Sequence, residues 1–280
     1  MAGLVLTTQQ LEYLLAIERA ATWADAAAAV GVTPSALSQG IAELERRLGV
    51  ALFERSGRRR VPTRDHAEVL RYAAATVAAT HDLERWLVGR RAGRTGTVRL
   101  GLIDFRDALL RYRAARPEVE LRLSVAPSAA LLTQLRRAEL DLVVCVQPAE
   151  TPPDAEVEQL VDDPMSVLAP AGTTAVRPSA WGPWVTFPAG SHSRAVIAEA
   201  VQAAGAPFEV VAESHQPEVL REMVRLGIGW TVLPLAGLGP VDDLRVVRRA
   251  VAERRLVLAR RAGTPPDPVA DDLAAFLRGR

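Results

Sequence analysis

A chain of 280 residues, 49% hydrophobic and 24% charged, has length for two domains and an ordinary globular composition, which excludes a fibre or a disordered tract. No run of about 18 apolar residues and no basic, apolar leader is present, so the expectation is a cytoplasmic protein with no membrane partner. A single cysteine, Cys145, rules out an intrachain disulfide or a cysteine-rich metal site, the four histidines lie far apart, nothing calls for a cofactor, and a net charge of +1 is uninformative about nucleic acid.

The first 92 residues read as almost entirely helical, whereas 17 of the 19 prolines lie beyond them, which places a boundary near residues 92–96. Thr7 or Thr8 caps a first helix with Leu11, Leu14, Leu15 and Ile17 on one face. Thr22 caps a second, short helix that Gly31 closes. Thr33 caps a third, with Pro34 at its first position, Leu37, Ile41, Leu44 and Leu48 as its buried stripe, and Gly49 as its stop. Two short helices around a tight glycine turn make a helix-turn-helix pattern, and Thr33, Ser35, Ser38 and Gln39 fall on the third helix's exposed side, where base contacts with double-stranded DNA are expected.

Two short extended pieces, 51–54 and 60–62, then flank a turn at Ser56 and Gly57, forming a small wing. Residues 46–64 hold seven arginines against one acid, Glu54. Such a run is usually a solvated face, but its place beside the third helix makes Arg55, Arg58, Arg59 and Arg60 candidates for phosphate contact. From residue 64 to about 91 a long helix carries Leu70, Ala73, Val77, Leu83 and Leu87 as a thin apolar stripe, with no core of its own in view. Its expected partner is a second copy of itself.

Beyond the boundary, residues 97–102, 119–125 and 141–146 read as buried strands, with a helix at 131–139 between the last two, the rhythm of a parallel sheet. A second series of strands follows at 165–169, 184–187, 208–213 and 230–234, with helices from Arg194 and Pro217. A strand returns at 254–260, and a last helix capped by Asp267 carries Leu273, Phe276 and Leu277. Cys145 reads as a buried strand residue, and Trp181, Trp184 and Trp230 as packing aromatics.

Residues 6–64 resemble the DNA-binding region of LysR-type transcriptional regulators, most tellingly at Ser38, Ile41, Leu44, Glu45, Leu48, Gly49, Leu52, Phe53, Arg55 and Thr63. The rest resembles that family's effector domain more loosely. The resemblance implies an α/β protein with a winged helix-turn-helix at 1–63, a long dimerising linker helix at 64–92, and two lobes similar to periplasmic solute-binding folds. Lobe I is expected at 93–161 and 262–280, and lobe II at 162–261. It also implies a dimer or a tetramer of two dimers, and a small-molecule effector between the lobes. Three departures stand out: Gly40 occupies a recognition-helix position where family members carry a long polar side chain, implying a close backbone approach to DNA or a missing base contact; His66 stands where the family carries a glycine shortly after the wing threonine; and the connection between the strand at 97–102 and the next helix is shorter than usual.

Strand ends and helix starts that face a cleft suit small anions, because free backbone N–H groups and the helix dipole point there. The candidates are Asp104 and Arg106 after the first strand, Ser128 after the second, the helix start formed by Ser191, His192, Ser193 and Arg194, and Gln216. A carboxylate held by Ser191 and Arg194, with Asp104 and Arg106 opposite them, would suit an amino acid or organic acid. Each serine is equally explained as an N-cap. Adjacent Ser191 and His192 cannot supply the geometry of a hydrolytic triad, so no enzyme is expected. Two other readings remain: an architectural DNA-binding protein whose C-terminal domain only oligomerises, and a solute-binding or enzymatic α/β protein.

Overall fold

The computed structural model describes residues 6–56, 59–92, 96–103, 106–174, 177–236, 238 and 241–279. The chain forms two compact units that divide between Arg91 and Ala92. The first holds α1 (Thr8–Arg19), α2 (Trp23–Ala29), α3 (Pro34–Leu48), a hairpin of β1 (Phe53–Ser56) and β2 (Arg59–Pro62), and α4 (His66–Ala92).

Local chemistry sets these helix ends. Thr7 and Gln10 form a reciprocal capping box, Thr22 Oγ1 accepts from the Asp25 amide, and Thr33 Oγ1 accepts from the Ala36 amide at 3.2 Å, while Gly49 ends α3 at φ 72°. Leu11, Leu14, Leu37, Ile41, Leu44 and Leu52 pack into one core. Two family-like residues brace it: Glu45 Oε1 accepts from the amides of Leu52 (2.7 Å) and Phe53 (3.0 Å), and Thr63 donates to the Ala51 carbonyl at 2.7 Å.

Two expectations change here. The first half of α4 does have a core to join: Ala73 and Val77 are buried in the helix-turn-helix core and Leu70 packs against it. Further along, beyond that core, the helix exposes Leu83 at 52%, Trp86 at 37% and Leu87 at 44%. Gly40, in turn, faces inward rather than toward DNA. A Cβ there would lie 2.6 Å from Cδ2 of the buried Tyr13 ring, so the glycine is required by helix packing. Gly40→Ala is therefore expected to lower the unfolding free energy by about 1–3 kcal/mol, the usual cost of overpacking, despite alanine's better helix propensity. Chemical denaturation checks this, and a simultaneous Tyr13→Leu should recover part of the loss.

The second unit runs β3 (Thr97–Leu102), α5 (Arg106–Ala115), β4 (Glu120–Val125), α6 (Ser128–Arg136), β5 (Leu142–Val146), β6 (Ala155–Pro170), β7 (Trp184–Thr186), α7 (His192–Ala203), β8 (Val210–Glu213), α8 (Pro217–Arg225), β9 (Thr231–Pro234), β10 (Leu244–Arg261) and α9 (Pro268–Arg278). Its main sheet has the order β4-β3-β5-β10-β6-β9; β3 is parallel to β4 and β5, the other pairings are antiparallel, and β7 and β8 form a separate parallel pair.

One core gathers Val98, Leu100, Tyr112, Val144 and Leu273, and another Met165, Trp184, Ile197, Leu220 and Trp230. These are two lobes on one sheet. The strands expected at 165–169 and 254–260 are each the apolar end of a longer strand, and β6 and β10 pair almost along their whole lengths as a ribbon. The ribbon's β10 side meets β5 at residues 256–259 and its β6 side meets β9 at residues 165–168. Between them lies a short crossing segment, around Asp163 and Arg254, where β6 and β10 pair with each other and the Gln147 amide donates to the Arg255 carbonyl at 2.8 Å.

Candidate nucleic-acid interface and ligand cavity

In the first unit the leucine stripe of α3 turns Ser35 and Gln39 to solvent, with Ser38 half-buried beside them. Thr33 is also exposed, but its hydroxyl serves the helix cap. Across the hairpin Arg55 pairs with Arg60, and both side chains are exposed. Arg60 Nη2 donates to Ser38 Oγ at 3.2 Å, and its guanidinium lies 4.4 Å from the Trp23 ring centroid. Trp23 in turn meets Phe53 edge-on at 5.1 Å, and Phe53 meets buried His66 at 5.0 Å. The wing is thus locked to the recognition helix through Arg60. Arg58 and the Arg59 side chain lie outside the described residues.

The positive run is less uniform than its residue count implies. Glu43, one turn before it, takes Arg46 and Arg47 in hydrogen-bonded ion pairs, and these hold its carboxyl down at about 2. Basicity is concentrated on the wing instead.

In the second unit a cavity of about 630 Å³ opens beside the starts of α6, α7 and α8. Ser128, Ser191, His192, Ser193 and Gln216 all line it, so these expected positions converge. Ser128 Oγ accepts from the Val146 amide at 3.3 Å, and Ser191 Oγ caps α7 by accepting from the Arg194 amide at 3.1 Å, so Ser191 does act as an N-cap. His192 brings a buried Nδ1 with no hydrogen-bond partner among the described residues.

Arg194 does not belong to this lining. Its Nη1 donates to the Phe187 carbonyl at 2.8 Å and pairs with Glu213 at 3.0 Å, and its guanidinium sits 4.9 Å from the Phe208 ring centroid. It braces its own lobe and is not the expected anchor. Asp104 and the Arg106 side chain lie outside the described residues. Reading the sequence missed His215, Glu218 and Arg254, which also line the cavity. Cys145 is fully buried on β5, and burial pushes its thiol up to about 12, which suppresses the reactive thiolate.

Comparison with known proteins covers both units of the chain. The sequence profile of the LysR substrate binding domain matches residues 91–280, and that of the bacterial regulatory helix-turn-helix protein, lysR family, matches residues 8–65. The chain belongs to the LysR family of transcriptional regulators. This LysR-type regulator is 25% identical over 287 residues to the HTH-type transcriptional regulator CbbR of Rhodospirillum rubrum, with 96% of this chain and 95% of that one covered. It is 34% identical to the CbbR of Rhizobium meliloti (strain 1021) over 173 residues, which is 59% of this chain and 54% of the relative.

Among solved structures, a full-length OxyR variant from Pseudomonas aeruginosa matches with a TM-score of 0.66 at 21% identity, covering 98% of each chain. CbnR, a LysR family transcriptional regulator, matches with a TM-score of 0.66 at 16% identity, over 98% of this chain and 99% of that one. At these identities the structures speak for the fold alone. The regulator thus joins a family helix-turn-helix domain to a family effector domain, and among its described residues no helix is long and apolar enough to cross a membrane.

Proposed function

We propose that this regulator reads duplex DNA with α3 in the major groove and the β1–β2 wing on the backbone, and that its affinity for DNA responds to an effector held in the cavity. The observation that carries the DNA reading is the exposed polar face of α3 beside arginines on the wing. Ser35 and Gln39 are the base-reading side chains, with Ser38 oriented by Arg60, and Arg55, Arg58, Arg59 and Arg60 supply phosphate contacts. Thr33 acts through its cap. A second copy of the chain covers Leu83, Trp86 and Leu87, which presents two recognition helices to a partly palindromic site. The site is non-catalytic, consistent with a Ser191 hydroxyl already used as a cap, and the protein works in the cytoplasm where its DNA is.

The effector reading rests on the convergence of three helix starts on one cavity, with Ser128, Ser191, His192, Ser193 and Gln216 around it. The DNA reading is tested by binding to a site chosen from a randomised pool. Gln39→Ala should change the selected sequence, with a loss of about 1–3 kcal/mol at the affected base pair. Arg55→Ala should weaken all sites alike and lower the slope of log affinity against log salt by about 0.9. An unchanged preference and an unchanged slope would refute these assignments.

A further inference from the structure

Arg254 is among the most buried charged groups of the chain, at 3% exposure, and it lines the cavity. Its Nε–H donates to Asp163 Oδ2 at 2.7 Å, directly across the β6–β10 ladder, within the crossing segment of the ribbon. The neighbouring rung, Arg255 with Asp162 at 3.7 Å, has exposed side chains. A buried ion pair is a poor device for stability alone, since an apolar pair of similar volume usually does as well or better. A buried cation beside a cavity has another use. It is desolvated in advance, and a guanidinium can serve two carboxylates through separate N–H edges.

The remaining walls define what such a cation would meet. Leu102, Leu109, Phe187 and Leu238 line the cavity, together with Leu123 and Val125 of β4, which stand 52% and 75% exposed. Apolar side chains left open on a cavity wall favour a ligand with an apolar body. The starts of α6, α7 and α8 add positive field, whereas Glu218 in the first turn of α8 opposes a second negative charge.

We infer that the effector is a monoanionic carboxylate with an aromatic or branched aliphatic body, that Arg254 receives its carboxylate, and that Asp163 is the counter-ion of Arg254 when the cavity is empty. This rests on the cavity being the effector site, as proposed above.

The test is isothermal titration of the full chain with benzoate, 4-methylpentanoate and the corresponding amides. Three proteins are compared: the natural sequence, the double variant Arg254→Gln/Asp163→Asn, which removes both charges and keeps a polar pair, and Ala129→Trp, which fills the cavity from an exposed position of its wall. The expected result is that at least one acid binds the natural protein, with its amide at least about tenfold weaker. The double variant should bind that acid about 10- to 100-fold more weakly, the worth of a hydrogen bond to a charged group, with its amide affinity unchanged. Ala129→Trp should abolish binding.

Equal binding of acid and amide, or no binding of either acid at millimolar concentration, overturns the ligand class. An acid that binds the double variant undiminished yet is lost in Ala129→Trp overturns the role of Arg254 and leaves the cavity reading standing. Binding that survives Ala129→Trp overturns the cavity reading itself.

Discussion

Val77→Asp is expected to unfold the DNA-binding unit, whereas aspartates at both Leu83 and Leu87 are expected to leave it folded and separate the protein into monomers. Val77 is 5% exposed and packs with Leu11, Leu14 and Leu37, so a carboxylate there is buried without a partner. An uncompensated buried charge costs about 3–5 kcal/mol, a large part of the roughly 5–15 kcal/mol that holds a whole domain together. Leu83 and Leu87 are on the same helix but stand 52% and 44% exposed, so the same chemistry there costs the fold little. It costs an assembly much more, because a second copy covering those side chains would bury two charges at the seam. Circular dichroism melting and sedimentation velocity at micromolar concentration separate the two outcomes. A folded, monomeric Val77→Asp protein would place the seam where the sequence alone puts it; a folded dimer of the Leu83→Asp/Leu87→Asp variant would remove the proposed interface.

That contrast shows what the sequence conveys and what it withholds. Local chemistry is legible: the caps at Thr22 and Thr33, Pro34 at a first turn, Gly49 in the left-handed region and the leucine stripe of α3 all act within a few residues of themselves. The serine-rich helix start at 191–193 is legible as a helix N-terminus that lines a cavity for the same reason, since it is readable from its own turn. Contacts that arise only from tertiary packing are not. The α4 stripe reads identically whether it meets a second copy or the core of its own unit. Gly40 reads as a gap in a DNA-facing row until the Tyr13 ring is found against it. Arg194 reads as a free cation because Glu213 and Phe208 come from elsewhere in the chain. The charged halves of β6 and β10 defeat periodicity outright, since acids among apolar residues in β6 and arginines among apolar residues in β10 each resemble a solvated segment unless the ribbon partner is known.

Asp163→Ala should produce one of the largest losses of stability in the effector unit, about 3–5 kcal/mol, because it leaves the Arg254 guanidinium buried without its counter-ion. The two residues lie 91 positions apart in sequence and meet across the β6–β10 ladder, so the loss would be felt where the ribbon crosses between the cores. Asp162→Ala makes the matched control one residue away. Its arginine, Arg255, is 58% exposed and the pair spans 3.7 Å, so solvent screens both charges and the expected change is at most about 1 kcal/mol. Replacing both buried partners, as Asp163→Leu with Arg254→Met, should cost far less than Asp163→Ala, since no charge is then left unpaired. Urea unfolding of the natural chain and the three full-length variants supplies the free energies for the comparison. Equal losses for Asp163→Ala and the apolar double variant would mean that packing rather than charge holds this rung. A much smaller loss in the double variant, accompanied by loss of acid binding, would mean that the ribbon carries an ion pair its fold does not require and keeps it for the ligand.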